Sequence, residues 1–265
     1  VIKVIFQCMV ILFPTLVSIF YPLQKIVYGI LSIVGIDTNN LDIAIKSITD
    51  NEKIISIICG LILSVFINFW IRKTNTERLF NTGNSYNKYP FYIYWISHYI
   101  LGYGTVSLIR VPIYLQYKII LSDIFPDIIV DSEVENKEQP VTIVEKNMEK
   151  TIDELNLILV DTYEIKKDQI PLDKLKLPTV IIQNGYDFSG HRFFNPEFVK
   201  KIREKTNLYS KTFKQVNIFS TTNTNHNKEI VSKCFKNGNR TGFKNIIVYQ
   251  ANREDYTFSE KHQVH

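Results

Sequence analysis

The residues of this chain best suited to chemistry fall in four short polar stretches, each directly after an apolar run. They are DTYE (161–164), NGYDFSGHR (184–192), TTNTNHN (221–227) and ANRED (251–255). Together they supply Asp161, Asp187, His191, Arg192, Thr222, Asn223, His226 and Arg253. Arginines set among neutral Thr and Asn donors suit an anionic ligand. Asp187 and His191 lie close in sequence and have the types of an acid and a base. Cys234 with His191 or His226 has the types of a thiol nucleophile and its base. Against these stands a plainer account, in which Asn and Thr form turns and caps and Cys234 packs inside a helix.

The elements that must position these residues are strands. LNLILV (155–160), PTVIIQ (178–183), QVNIFS (215–220) and NIIVYQ (245–250) are apolar, β-branched runs of strand length. Helical patterns separate them. In NPEFVKKIREK, Asn195 is placed to cap, Pro196 takes the first helical position, and Phe198 and Ile202 share one face. A second helix is predicted from near Asn227 to near Gly238, with Ile230, Val231 and Phe235 inward. Its first N–H groups would favour an anion such as phosphate. Strand and helix alternate, which predicts a Rossmann-like, mostly parallel sheet over 145–265; a small β-rich barrel is the alternative. In an open parallel sheet ligands bind beyond the carboxyl ends of the strands. All four polar stretches would gather on that edge.

The first 121 residues are of another kind. Residues 54–71 contain no charge, end at Trp70 and are followed by Arg72 and Lys73. Eighteen residues at about 1.5 Å each nearly cross a hydrocarbon core of about 30 Å. Residues 4–24 are also uncharged and carry Pro14 and Pro22. They predict one span with a continuation beyond the membrane or along its interface. Residues 91–109 are uncharged but rich in Tyr and Trp. They predict a third span, an interfacial helix or a helix inside a multimer. Arg110, just beyond them, is expected to snorkel near a helix end. A lipid bilayer is thus the first partner, and the chain divides into a membrane region with two or three spans (1–121), an acidic linker (122–144) and a soluble domain (145–265).

Charge and composition narrow the function. Residues 145–265 hold 20 Lys/Arg against 15 Asp/Glu and account for the whole formal net charge of +5. That permits an anionic small molecule without calling for a nucleic-acid duplex. Three cysteines without a CxxC pair predict neither a disulfide framework nor a metal site. No GxGxxG, P-loop, HExxH or GxSxG occurs, so no cofactor is expected and a catalytic role has little support. The basic loop 72–88 is expected on the cytoplasmic side, and the soluble domain with it.

Membrane helices joined to a small Rossmann-like domain resemble prokaryotic antiphage effectors that sense cyclic nucleotides. The STTNTN loop (220–225) is similar to the polar loops after strands in their sensor domains. The resemblance covers the soluble half. A polar rim without catalytic motifs, fused to membrane spans, gives the first reading: a membrane protein whose soluble domain binds a nucleotide-like anion or a partner and alters the assembly of the helices, as a homo-oligomer or with membrane-complex partners. Two other readings stand beside it: a structural subunit of a larger membrane complex, and a membrane-anchored enzyme.

Overall fold

The computed structural model describes residues 2–33, 35, 39, 43, 51–82, 85–132, 134–149, 152–185, 192–236 and 242–265. The chain forms two compact units: Val1–Phe80 with Tyr92–Gly104, and Asn81–Phe91 with Thr105–His265.

In the first unit, α1 (Ile2–Phe20) is followed after Pro22 by α2 (Leu23–Ile33), and α3 (Glu52–Asn75) packs against both. Both α1 and α3 are long and apolar enough to cross a membrane. Small residues bring them together. A Cβ on Gly60 would lie 2.6 Å from Ser18 Oγ and 2.9 Å from the Pro14 carbonyl oxygen. Thr15 Oγ1 and Ser64 Oγ are hydrogen-bonded at 2.8 Å, and Ser56 Oγ donates to the Tyr21 carbonyl. The outward faces stay apolar, with Phe6, Phe13, Phe20, Phe66 and Trp70 exposed. Residues 91–109, the third candidate span, form instead α4 (Phe91–Tyr99) and strand β1 (Thr105–Ser107). Nine helical residues reach about 14 Å, too short to cross. The uncharged run came from packed aromatics: Tyr94 and Tyr103 are fully buried, each edge-on to Phe80.

The second unit is α/β. Its six-stranded sheet is built from β4 (Val141–Lys146), β5 (Glu154–Val160), β6 (Thr179–Asn184), β8 (Gln215–Ser220), β9 (Asn245–Gln250) and β10 (Glu260–Gln263). The order is β10-β9-β8-β5-β6-β4. The four central strands are parallel, and the two edge strands run antiparallel to their neighbours. The sheet is open, so the barrel alternative does not form. β5 and β8 are buried on both faces, which explains why their apolar residues do not alternate with exposed polar ones; the asparagines within them, Asn156 and Asn217, are buried as well. Helix α6 (Pro196–Tyr209) connects β6 to β8, capped as its sequence predicts by Asn195, whose side chain accepts from the Glu197 N–H. From β8 the chain runs through α7 (Thr224–Ile230) and one π-turn (Val231–Phe235) to β9.

Residues 105–121, assigned by hydropathy to the membrane region, lie in this second unit. There α5 (Ile113–Leu121) joins β1 to the parallel strand β2 (Asp127–Ile129) and packs on β9 and α7. The stretch expected as a linker, 122–144, contributes β2, β3 (Glu135–Asn136) and part of β4; β3 pairs with β7 (Phe193–Phe194). Asp123, Asp127, Glu135 and Glu138 are exposed on the surface of the fold, so the charge change marked no boundary.

Candidate functional site

β5 lies at the centre of the parallel strands, β6 is added on one side, and β8 and β9 on the other. The winding therefore reverses between β5 and β8, and their carboxyl ends flank a crevice of the kind in which open α/β sheets bind ligands. Asp161 ends β5. Its carboxylate accepts from Asn184 Nδ2 at 2.7 Å, from the Asn223 N–H at 3.0 Å and from His226 Nδ1 at 2.7 Å. The Asn195 N–H donates to His226 Nε2 at 2.9 Å. That bond leaves Nε2 without a proton and puts the ring proton on Nδ1, facing Asp161. Both ring nitrogens are committed, and the ring lies between Phe194 and Phe198 with no exposed surface. An Asp–His pair at this distance has the look of a catalytic dyad, but no lone pair remains for a nucleophile's proton. The pair ties the loops after β5, β6 and β8 into one block.

This block starts α7 three residues earlier than the sequence predicts. Asn223 is the cap: its Oδ1 accepts from the His226 N–H at 2.9 Å. Asn227 is buried inside and donates to Gln116 Oε1 of α5 at 2.9 Å, and its own Oδ1 accepts from the Thr222 hydroxyl. Thr162 and Thr221 zip the two post-strand segments together. The Thr162 N–H and hydroxyl both donate to the Thr221 carbonyl, and the Thr221 hydroxyl donates to the Tyr163 carbonyl at 2.8 Å.

Above the block opens a cavity of about 540 Å³, lined among others by Arg110, Arg192, Asp131, Tyr86, Thr222 and Asn223. Two arginines and one carboxylate are the charged groups among these lining residues. Arg192 Nη1 lies 3.7 Å from Asp131 Oδ2 with 58% of its side chain exposed. At that exposure an ion pair is worth little, so the guanidinium can turn to an incoming anion. Arg110 holds φ at 59°, in the left-handed region that a non-glycine residue rarely adopts, and such positions cluster at functional sites.

Among the residues singled out from sequence, Arg192, Thr222 and Asn223 line this cavity, while Asp161 and His226 lie buried beneath it. Arg253 borders a neighbouring cavity of about 340 Å³ with Lys88 and Glu260, its guanidinium 3.6 Å above the Tyr86 ring. Asp187 and His191 lie outside the described residues. Cys234 is buried, and burial pushes its thiol up to about 12, so it is no nucleophile near neutrality. Among the described residues no group of three or more His, Cys, Asp and Glu could hold a metal ion.

The candidate residues chosen from the sequence left out Asn184 and Asn227, although both lie in the polar stretches, and also Asn195, Gln116 and Tyr86. Asn184 carried a usable signal, since it ends a strand on the same edge as Asp161. Arg110 was read as a snorkelling end, whereas the fold puts it on the rim of the cavity.

The model of the SMODS- and Ubiquitin system-associated 2TM effector domain family matches residues 2–265. Among the curated proteins none matches the chain. Among solved structures the chain is similar to the Cap4 SAVED/CARF-domain containing receptor of Acinetobacter baumannii. With the cyclic trinucleotide 3'3'3'-cAAA the identity is 12% and the TM-score 0.47, over 80% of this chain and 56% of that one. With 2'3'3'-cAAA the identity is 13% and the TM-score 0.45, over 66% of this chain and 41% of that one. The chain thus spans about half the length of those receptors or less.

Proposed function

The chain belongs to the SMODS- and Ubiquitin system-associated 2TM effector domain family, and on that premise we propose that its soluble unit binds a nucleotide-like anion in the cavity at the β5–β8 switch point. The observation that carries the reading is the pairing of Arg110 and Arg192 with the neutral rim of Thr222 and Asn223. Guanidinium forks suit phosphate oxygens, and hydroxyl and amide groups complete the set without adding charge. The family's association with nucleotide-signal systems favours a cyclic oligonucleotide as the phosphate carrier.

Binding then alters the assembly of the α1–α3 hairpins in the bilayer, between copies of the chain. The outward apolar faces of these helices are free to exchange lipid for a neighbouring hairpin. The soluble unit faces the cytoplasm. With α1 and α3 as the two crossings among the described residues, the chain leaves α3 beside Arg72, Lys73 and Arg78, and positive flanks stay inside. Cysteines introduced at 123–140 and 222–227 test this: labelling of both by an impermeant reagent on intact cells would place the unit outside.

Calorimetric titration of the full chain in nanodiscs tests the ligand. The probes are AMP and cyclic di- and trinucleotides. We expect saturable binding to at least one, weakened at least tenfold by Arg192→Ala and again by Arg110→Ala. No binding by the folded chain to any probe removes the nucleotide reading.

A further inference from the structure

A second cavity, of about 400 Å³, opens on the same edge of the sheet and has the opposite chemistry. Its lining includes Tyr163, Tyr256, Phe258, Thr221, Gln169 and Glu164. No cation is among the lining residues, and the one charge is a carboxylate. Phosphate is therefore disfavoured. Three aromatic rings, a hydroxyl, an amide and an acceptor for an amino group instead suit a flat, neutral heterocycle.

The two cavities share a wall. The zipped ridge of Thr162–Tyr163 and Thr221–Thr222 gives Thr162 and Thr222 to the cationic cavity, and Tyr163 and Thr221 to the aromatic one. Consecutive Cα atoms are about 3.8 Å apart, so the chemistry changes across the width of one residue. A nucleotide holds its phosphate and base on opposite ends of the sugar, so one ligand can lie across such a ridge. The aromatic side is also held ready. Tyr163 and Tyr256 are 58% and 62% exposed, an unusual position for two large rings on one rim. Tyr256 holds φ at 58°, fixed by a turn in which the Asn252 N–H donates to the Thr257 carbonyl at 2.8 Å and the Thr257 N–H to Asp255 Oδ1 at 3.0 Å.

We propose that the aromatic cavity is a nucleobase subsite, which takes the base of a nucleotide whose phosphate lies in the cationic cavity. The base stacks on Tyr163 or Tyr256. Glu164 accepts from an exocyclic amine, which favours adenine, guanine or cytosine over uracil. The proposal rests on the anion-binding reading, and its test separates the two.

AMP and ribose 5-phosphate carry the same phosphate, but only AMP has a base. Each is titrated calorimetrically into the detergent-solubilised full chain. In the wild type AMP should bind at least tenfold tighter than ribose 5-phosphate. Tyr163→Ala and Tyr256→Ala should each weaken AMP on the order of tenfold, since that is the usual worth of one stacked base. Neither should change ribose 5-phosphate, and Tyr163→Phe should keep AMP affinity. Arg192→Ala should weaken both probes. Equal affinity of the two probes, or tyrosine variants that weaken both alike, would overturn the base subsite and leave the anion site standing. If neither probe binds, the base subsite falls, and the anion reading is decided by the titration with cyclic di- and trinucleotides.

Discussion

The membrane unit and the soluble unit solve the same packing problem with opposite materials. Between α1 and α3 small and polar groups, Thr15, Ser18, Ser56, Gly60 and Ser64, make the close approach; Val4, Ile55 and Ile71 are buried too, but most of the large apolar side chains point outward. In the sheet the large apolar side chains fill both faces, and a large group of buried polar side chains gathers at its carboxyl edge around Asp161, apart from the smaller set of Asn156, Thr179 and Asn217. The difference follows from the solvent. Lipid offers no hydrophobic drive to bring two helices together, so close backbone approach and hydrogen bonds must do it. Water supplies that drive to the sheet. A polar group inside it must then be fully partnered, and the site is where such groups are concentrated.

The largest test of this contrast removes the hub of the polar edge. Asp161→Ala would strand three donors at once, on Asn184, Asn223 and His226, in a nearly dry environment. The expected loss is about 3–5 kcal/mol for the soluble unit. Asp131→Ala, beside the exposed Arg192, should cost no more than about 0.5 kcal/mol. Hydrogen exchange over residues 154–160 and 215–220 of the full chain reads both. Equal protection in the two variants would mean that the network does not hold the edge together.

Much of the soluble unit was legible because period and composition agree in it. The four parallel strands appear within about one residue of the predicted apolar runs, and Asn195-Pro196-Glu197 announced α6. The antiparallel edges were not legible. β10 is wholly polar and mostly exposed, as edge strands tend to be, and reads as a loop, while β4 begins with β-branched residues but falls largely within the stretch expected as a linker. The site divides in the same way. Position after a strand pointed to Asp161, Thr222 and Asn223. Nothing local in the sequence tells that His226 lies inside, since Thr-Asn-His residues serve equally as a wet turn or a dry cap. The segment 91–121 misled for a physical reason: uncharged aromatic runs have the same composition whether rings face headgroups or one another.

Alkaline pH should separate the units next. Burial raises the Cys234 thiol from its ordinary 9.0 to about 12, and burial followed by the Glu145 carboxylate raises Tyr209 from 10.0 to about 12. The unfolded chain gives up these protons first. Their contribution to the soluble unit is therefore whole below pH 9 and is lost as pH rises toward 12. Within that window Cys234 alone removes up to about 1.4 kcal/mol per pH unit. Near-UV circular dichroism should fall between pH 9 and 12 while the helical signal of the α1–α3 hairpin persists. Alkylation of Cys234 in the native chain at pH 8 would show that the thiol is not protected as described.

The smallest effect gives the sharpest comparison, because one isosteric change can be made in both units. Thr15→Val deletes the hydroxyl that meets Ser64 Oγ at 2.8 Å between two membrane helices. Thr179→Val deletes one that donates to the Leu177 carbonyl at 2.8 Å and accepts from Asn156 Nδ2 at 3.2 Å beside the sheet. Low dielectric alone would make the membrane bond the stronger of the two. The helices, however, remain helices in the bilayer when they separate. A serine freed there can turn its hydroxyl to the carbonyl one turn back, so little is left unpaired. In the soluble unit the unfolded reference is hydrated, and the folded variant leaves Asn156 short of a partner at a buried position. Thr179→Val should therefore cost about 1–2 kcal/mol, and Thr15→Val about 0.6 kcal/mol, near the mean for bonds between membrane helices. Denaturant unfolding measures the first, and forced separation of the hairpin in bicelles the second. A Thr15→Val cost above that of Thr179→Val would mean that the hairpin is held chiefly by its polar contacts rather than by the close packing at Gly60.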